Sequence, residues 1–454
     1  MFLTGGVDVN TNIWNGTTSF HDAIENKEIG IAELVLNHGA DINASNVAGD
    51  TLLHLAVRRG HVDDVKMLLD KGANVNALSY VGTPLHDAIQ NKEIEIAKLL
   101  LNHGANVDAT NYLGDTPLCF AIRRGHVDGV KLLIDGGTDV NAETYYGRSP
   151  LHDAIEKKET EIAKLLLNHG ANVNINFSDG VTPLFIAVRR GYVDDVKMLI
   201  DRGANVNAAT KLDITPLHDA IVNGEIEIAK LLLNHGADIH ACTSTFAGDT
   251  PLSLAITNPK KVKLVTMLLD RGADINAISD VNNSLCLDNV RPRKIAKILE
   301  RHIVKMKSAN LYVSEQLLST SSNYKIRNLQ DKCEKELAIM KNEKISNTNI
   351  SFYDILIKDT NLLAKCMRNE NLVQVLGSDD YKTKFPIYAS MINCNFRKGM
   401  EKKELLEQST RIFYFLFNNF PKLPHICIEK IFSYLSDNDL RIVIDTCKPS
   451  LQVS

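Results

Sequence analysis

The sequence repeats itself with a period close to 33 residues over most of its length. Each copy continues into an apolar pattern of helical spacing, such as EIAKLLLNHGANV at 95–107. A single unit of this size cannot bury its apolar face, so neighbouring units must stack into a solenoid. The copies begin with variants of Thr-Pro-Leu-His, 33, 32, 33, 33, 33, 33 and 35 residues apart, at Thr18, Thr51, Thr83, Thr116, Ser149, Thr182, Thr215 and Thr250.

One copy predicts a pair of helices. Thr83 and Pro84 begin the first helix, because proline at the first helical position loses no hydrogen bond. The second helix ends at Asn-His-Gly, where Gly104 can adopt the left-handed conformation of a helix cap. The apolar residues expected to face the core are Leu85, Ala88 and Ile89 in the first helix and Ile94, Ala97, Leu100 and Leu101 in the second.

The period and the Thr-Pro-Leu-His-x-Ala motif resemble the ankyrin repeat over about residues 1–300. The resemblance implies an all-α solenoid of helix-turn-helix units with β-turn fingers. The helical apolar periodicity that persists after the repeats predicts a small helical C-terminal domain behind it. Residues 3–10, LTGGVDVN, look like the last part of a repeat whose helices are missing. Either a preceding segment is absent from this sequence, or this first unit is a truncated cap. The expected boundaries are a partial repeat at 1–17, eight repeats at 18–282, a degenerate capping repeat at 283–307, a helical connector at 308–345 and a C-terminal domain at 346–448.

A longer period of two repeats is also present. Residues 84–107 and 150–173 differ at three of 24 positions, whereas the units between them carry Arg-Arg pairs at 58–59, 123–124 and 189–190. Duplication in pairs explains this pattern. A functional alternative is that the arginine pairs face an acidic ligand, although cations at a helix C-terminus are favourable without any ligand.

The turn before each Thr-Pro is the variable part of the repeat. Ankyrin repeats commonly bind protein partners with these turns, and aromatic side chains on polar turns are typical interface anchors. The alternative is that the rings pack sideways against the adjacent turn. The residues predicted to bind a target protein are Tyr80, Tyr112, Tyr145, Tyr146, Phe177 and Phe246.

The polar residues do not form a recognisable catalytic or metal site. Eleven of the 14 histidines occupy fixed slots of the repeat, which favours a structural hydrogen-bonding role between units. The eight cysteines include no C-x-x-C pair, and we find no H-E-x-x-H, phosphate-loop, G-x-S-x-G or G-x-G-x-x-G motif. We therefore expect no enzyme activity, no cofactor and no bound metal.

Charge and hydropathy restrict the partners further. Residues 1–300 contain 28 Lys and Arg against 38 Asp and Glu, whereas residues 301–454 contain 23 against 17. An acidic array disfavours nucleic acid as its partner. The start, MFLTGGVDVN, lacks the features of a secretory signal, and no run of about 18 apolar residues predicts a membrane span. We expect a cytoplasmic protein, with nuclear entry or action inside a host cell left open.

The period stops near residue 302, and helical patterns continue. Apolar residues at 326, 329, 333, 337 and 340 form a helical stripe, and SFYDIL, KFPIY and a long apolar segment follow. Near the end, LPHICIEKIFSYLSDNDL at 423–440 predicts two short helices separated by a capping turn. This order of segments after ankyrin repeats resembles the PRANC domain, an F-box-like module of poxviruses, some intracellular bacteria and parasitoid wasps.

The resemblance implies a substrate adaptor, in which the repeats hold a target and the F-box-like helices dock on the Skp-type linker of a cullin ubiquitin ligase. An F-box ordinarily has a third helix, and here only DTCKPSLQVS remains for it. One alternative is that 423–447 merely closes the C-terminal domain; another is a scaffold or decoy that acts without a ligase. A degenerate product with no retained partner is a third. The residues that match the docking motif are Leu423, Pro424, Ile428, Ile431, Tyr434, Leu435, Asp439 and Leu440.

Overall fold

The computed structural model places the chain in two compact units, 1–238 and 239–454. It describes residues 18, 21, 24, 34, 36–177, 179–244, 249–277, 293–314, 327–345, 348–378, 380–416, 432–433, 435, 437, 439–441 and 444. Within these residues the secondary structure consists of helices, turns and three isolated β-bridges. The predicted all-α repeat fold is therefore confirmed.

The first unit is a stack of helix pairs, each made of a short first helix, a tight loop and a longer second helix. Projecting finger turns join one pair to the next. In chain order the helices are Leu52–Arg58 (α1) and Val62–Asp70 (α2), Pro84–Gln90 (α3) and Ile94–Asn102 (α4), Pro117–Arg123 (α5) and Val127–Asp135 (α6), Pro150–Glu156 (α7) and Thr160–Asn168 (α8), Pro183–Arg190 (α9) and Val193–Asp201 (α10), and Pro216–Asn223 (α11) and Ile226–Asn234 (α12).

The apolar residues of one repeat are buried much as their spacing predicts. Leu85, Ala88 and Ile89 of α3 are fully buried. In α4 the core face is Ile96, Ala97 and Leu100, whereas the predicted Ile94 and Leu101 are half-buried. Ile94 and Leu101 therefore lie at the margin of the buried face, which is centred on Ile96, Ala97 and Leu100. Gly104 has φ +84°, as expected for the left-handed cap.

The histidine of the Thr-Pro-Leu-His slot joins consecutive repeats. The backbone N–H of Thr83 donates to His86 Nδ1 at 3.0 Å, and His86 Nε2–H donates to the Asp115 carbonyl in the next finger at 3.1 Å. His54 and His152 make the same pair of contacts. These bonds require the neutral ring with its proton on Nε2. The predicted structural role of these histidines is confirmed.

The two-repeat period corresponds to two kinds of interface. Each Arg-Arg-Gly repeat meets a repeat that supplies an aspartate to the first arginine, as in Arg123 Nε to Asp153 Oδ2 at 3.1 Å. The glycine of the same motif makes room for a glutamate of that next repeat, since a Cβ on Gly125 would lie 2.6 Å from Glu159 Oε1. Duplication in pairs preserves both contacts at once, which is a physical reason for the longer period.

The second unit begins with a helix pair of the repeat type and continues into a helical domain. Its helices are Pro251–Ile256 (α13) and Val262–Asp270 (α14), with a 3-10 turn at Pro259–Lys261 between them, then Arg293–Ser308 (α15), Arg327–Asn342 (α16), Phe352–Ile357 (α17), Thr360–Cys366 (α18), Glu370–Gly377 (α19), Tyr381–Lys384 (α20) and Ala389–Leu416 (α21).

The helix α16 shares one core with the helices that follow it. Cys333, Leu337 and Met340, which form part of the predicted stripe, are buried together with Phe352 and Phe385. Residues 327–345 are thus packed into the C-terminal domain. Ser351 begins α17 through a capping box, since the Ser351 hydroxyl and the Asp354 carboxylate accept each other's backbone N–H.

Candidate interaction surfaces

Exposed apolar side chains of the first unit are concentrated on the finger turns. Ten large apolar residues are exposed in the described part of this unit, and only two lie elsewhere, Leu34 and Val222. Exposed apolar residues that adjoin one another can form a protein interaction site, whereas single ones are ordinary. The eight residues on fingers are Val47, Leu78, Tyr80, Tyr112, Leu113, Tyr145, Tyr146 and Leu212.

Tyr80 and Tyr112 form a pair across two consecutive fingers. Their ring centroids lie 4.6 Å apart at an interplanar angle of 32°, while 67% and 50% of the two residues remain exposed. A hydrogen bond to Tyr80 raises the pKa of Tyr112 above its usual value. The two rings therefore pack sideways on each other, as the alternative predicted, and still present a face to solvent; their binding of a target stays a prediction.

The finger turns at 138–149, 171–182 and 204–215 enclose an open cleft of about 660 Å³. Tyr145 and Tyr146, exposed by 73% and 72%, line it together with Glu143, Phe177 and Lys211. Two of the fingers approach each other closely within the lining of the cleft, at Gly180 and Ala209. A Cβ on Gly180, whose φ is +81°, would lie 2.8 Å from the Ala209 carbonyl oxygen.

Phe177 differs from the tyrosines because it is half-buried. Its ring and that of His152 are steeply inclined, with centroids 4.9 Å apart and an interplanar angle of 75°, and the guanidinium of Arg148 lies 5.4 Å from the Phe177 centroid. Phe177 therefore belongs partly to the packing between repeats. Phe246, the sixth predicted target-binding residue, lies outside the described residues.

The first arginine of each Arg-Arg pair is engaged within the array. Arg58, Arg123 and Arg189 each donate to an aspartate of the following repeat. Of the second arginines, Arg190 pairs with Glu156. The arrangement favours a structural role for the first arginine of each pair over the predicted contact with an acidic ligand.

Part of the predicted docking segment packs inside the second unit. Leu440 is fully buried, and Leu435 is half-buried against the same small core, whereas Asp439 is exposed. Leu423, Pro424, Ile428, Ile431 and Tyr434 lie outside the described residues. The residues that form this core with Leu440 are Ala364, Leu405, Leu406, Phe432 and Ile444.

A buried lysine fixes the turn inside this segment. Lys402 on α21 exposes 5% of its side chain and donates from Nζ to the Leu435 carbonyl at 3.0 Å and to Asp437 Oδ1 at 2.8 Å. Asn361 Nδ2 on α18 donates to the Ser433 carbonyl at 3.3 Å. Sequence reasoning missed Lys402, because a lysine on an amphipathic helix is normally expected in solvent.

The described residues form neither a cluster of metal ligands nor a membrane-spanning helix. No group of three or more His, Cys, Asp or Glu side chains is placed to hold a metal ion. Among the helices of the described ranges, none combines the length and the apolarity that a membrane span requires.

Comparison with known families matches both parts of the chain. The ankyrin-repeat family, described as three consecutive copies, matches residues 1–79, 79–144, 138–210 and 209–279, and the PRANC domain matches 347–445. Both families are non-catalytic interaction modules. The ankyrin-repeat match covers more than half of the chain, and the PRANC match follows it in the order that the sequence predicted.

One curated relative matches about half of the chain. Putative ankyrin repeat protein FPV233 of fowlpox virus (strain NVSL) is 26% identical over 253 residues, which are 45% of this chain and 48% of that protein. The match thus spans about half the length of this curated relative.

Two solved structures resemble the array. The ankyrin repeat domain of Bcl-3, described as a unique member of the IkappaB protein family, is 29% identical with a TM-score of 0.45, and covers 49% of this chain and 98% of its own. The human ASB11 ankyrin repeat domain is 25% identical with a TM-score of 0.42, covering 49% and 99%. From the family matches we conclude that the chain is an ankyrin-repeat protein with a C-terminal PRANC domain.

Proposed function

We propose that the protein is a non-catalytic adaptor, in which the ankyrin array binds a target protein and the PRANC domain docks on the Skp-type linker of a cullin ubiquitin ligase. The observation that carries the proposal is the presence of both modules, in this order, in one chain. A protein-binding array joined to an F-box-like domain brings two proteins together without chemistry of its own.

The finger turns are the proposed target site. Their support is the concentration of exposed apolar residues described above, together with the two aromatic sites at Tyr80–Tyr112 and Tyr145–Tyr146. Exposed aromatic anchors next to polar surface are typical of the energetic centre of protein interfaces. The other predicted anchors, Phe177 and Phe246, remain part of the proposal.

The proposed linker-docking site is the F-box-like segment. Short amphipathic helices bind partners by laying one apolar face into a groove. Leu440 belongs to the core of the domain, so its proposed role is to position the segment. We assign the contact with the linker to the other residues that match the docking motif. Asp439, which is exposed, is the best probe of that contact.

Capture of the linker by the full-length protein tests the ligase half of the proposal. We expect the intact chain to bind purified Skp-type linker and to recover cullin from a eukaryotic lysate. Tyr434→Ala combined with Asp439→Arg should abolish both. The matched control is Lys365→Glu on α18, an exposed residue of the same unit. Thermal melts of each variant show whether the domain stays folded, and failure of the intact chain to bind linker would refute the adaptor.

A scaffold or decoy that sequesters its target without a ligase is the second candidate. The burial of Leu440 in the domain's own core favours it, because a docking residue that packs internally is not free to contact a linker. This candidate predicts that the Tyr434→Ala/Asp439→Arg variant keeps the target and the full biological effect, whereas replacing Tyr112, Tyr145 and Tyr146 with alanine removes both.

A further inference from the structure

The finger segments are acidic as well as aromatic. The six segments 40–50, 73–83, 105–116, 138–149, 171–182 and 204–215 contain eight aspartates and glutamates but only two basic residues, Arg148 and Lys211. Arg58 and Arg123 bind two of the eight carboxylates, those of Asp50 and Asp115. The other six acidic residues are Asp41, Asp108, Asp139, Glu143, Asp179 and Asp213.

The cleft between the later fingers combines both properties. It is lined by the exposed carboxylate of Glu143 and by the rings of Tyr145, Tyr146 and Phe177. Aromatic faces attract cations through their quadrupole, and a carboxylate adds a charge-assisted hydrogen bond. A cation already lies over one of these rings, since the Arg148 guanidinium is 5.4 Å from the centroid of Phe177.

Lys211 is the cation among the residues that line the cleft. It is exposed, and its flexible four-carbon stem lets the ammonium turn to solvent when another cation enters. Its charge must nevertheless oppose a cationic ligand and assist an anionic one. The sign of the effect of removing Lys211 therefore identifies the charge of the ligand.

We propose that the acidic aromatic fingers bind a basic segment of the target protein, with one arginine or lysine side chain seated in the cleft between Glu143, Tyr145, Tyr146 and Phe177. The inference rests on the proposed function in one respect, namely that the target binds at the fingers. It goes further by stating the charge of the segment and the place of one side chain. Arginine suits the site best, because its planar guanidinium stacks on rings while it donates to a carboxylate.

Binding of charged probe peptides to the full-length protein tests this inference. We expect a fluorescein-labelled Arg-Gly repeat peptide to raise the fluorescence anisotropy on binding, with an affinity that falls as salt is added. Glu143→Gln and Tyr145→Ala/Tyr146→Ala should each weaken binding about tenfold. Lys211→Ala should strengthen it. Asp194→Asn, which removes an exposed carboxylate on α10 outside the fingers, should leave it unchanged.

Several outcomes would overturn the inference. A Glu-Gly peptide or oligo-thymidylate could bind more tightly than the Arg-Gly peptide, or the Arg-Gly peptide could fail to bind. Lys211→Ala could weaken the binding of the Arg-Gly peptide. Glu143→Gln and Asp194→Asn could change that binding equally. Linker capture is measured separately on the same preparations. If linker binds and the Arg-Gly peptide does not, this inference alone fails; if the peptide binds and linker does not, the adaptor function alone fails.

Discussion

The guanidinium of Arg58 joins two consecutive repeats, because its Nε donates to Asp87 Oδ2 at 2.8 Å while its two terminal nitrogens hold Asp50 of its own repeat at 2.7 and 2.8 Å. Both carboxylates are largely buried. Arg123 repeats the arrangement with Asp115 and Asp153, two repeats further along. Adjacent arginines in one motif thus have different roles, which substitutions can separate.

Arg58→Ala should destabilise the array by about 3 kcal/mol, because it leaves two buried carboxylates without their partner. Arg59→Ala, at the exposed neighbouring position, should change the free energy of unfolding by less than about 0.5 kcal/mol. Urea denaturation of both variants measures the difference. Similar effects of the two substitutions would show that the ion pairs with Asp50 and Asp87 do not stabilise the repeat interface.

Acidification should destabilise the array through its buried histidines. Burial lowers the pKa of His54, His86 and His152 to about 4. Their neutral rings contribute stability that is fully present above the unfolded pKa of about 6.5 and is lost as the pH falls toward 4, by up to about 3 kcal/mol for each histidine. Burial also raises the pKa of Asp87 to about 6, which offsets part of this loss.

The His86→Ser variant tests the histidine prediction, because Ser253 occupies the same slot of a later repeat and accepts from Thr250 N–H at 2.9 Å. Thermal melts between pH 7 and pH 4 should show a smaller pH-dependent loss for the variant than for the parent protein. An unchanged pH profile would mean that His86 does not contribute to acid unfolding.

Gly114→Ala should disturb the fingers at the proposed target site. Gly114 has φ +76°, and an added Cβ would lie 2.8 Å from the backbone nitrogen of Tyr145. Gly104→Ala is the matched control, since φ is +84° there and no atom lies within 4 Å of the added Cβ. We expect about 1 kcal/mol of destabilisation from backbone strain in the control and about 2–3 kcal/mol at Gly114. Equal melting temperatures would contradict the close approach of the two fingers.

Lys402→Met should release the chain around Leu435 and Asp437, the two residues that Lys402 contacts. The substitution removes two hydrogen bonds made by a charged donor, so amides in 435–441 should lose about 2 kcal/mol of protection against hydrogen exchange. Lys365→Met, at an exposed position of α18, should leave exchange in this segment unchanged. Unaltered protection in the Lys402 variant would show that these two hydrogen bonds do not hold the segment in place.

Leu440→Ala should destabilise the second unit by about 3 kcal/mol, because it opens a cavity beside Leu405 and Phe432. Asp439→Ala, one residue earlier and exposed, should lower the melting temperature less than Leu440→Ala does. The comparison separates a positioning role from a docking role. If Leu440→Ala melts like the parent protein and still loses linker, Leu440 contacts the partner directly.

The sequence by itself determined the features that depend on neighbouring residues. The 33-residue period, the Thr-Pro helix start and the left-handed glycine of each cap are local rules, so helix α3 and the cap at Gly104 could be predicted from one repeat. The tyrosines of the fingers could be found in the same way, because repeats align on each other and their variable turns stand out.

Only the tertiary structure decided which charged and apolar residues face a partner within the chain. Arg58 and Arg59 are adjacent arginines that no local rule distinguishes. The contact with Asp87, 29 residues away in the sequence, makes Arg58 the interface residue. Leu440 matches a docking motif, yet α21 supplies the leucines that bury it, and Lys402 is drawn from solvent by a turn more than 30 residues later. The physical reason is that burial and pairing depend on contacts distant in sequence, which periodicity and capping rules do not contain.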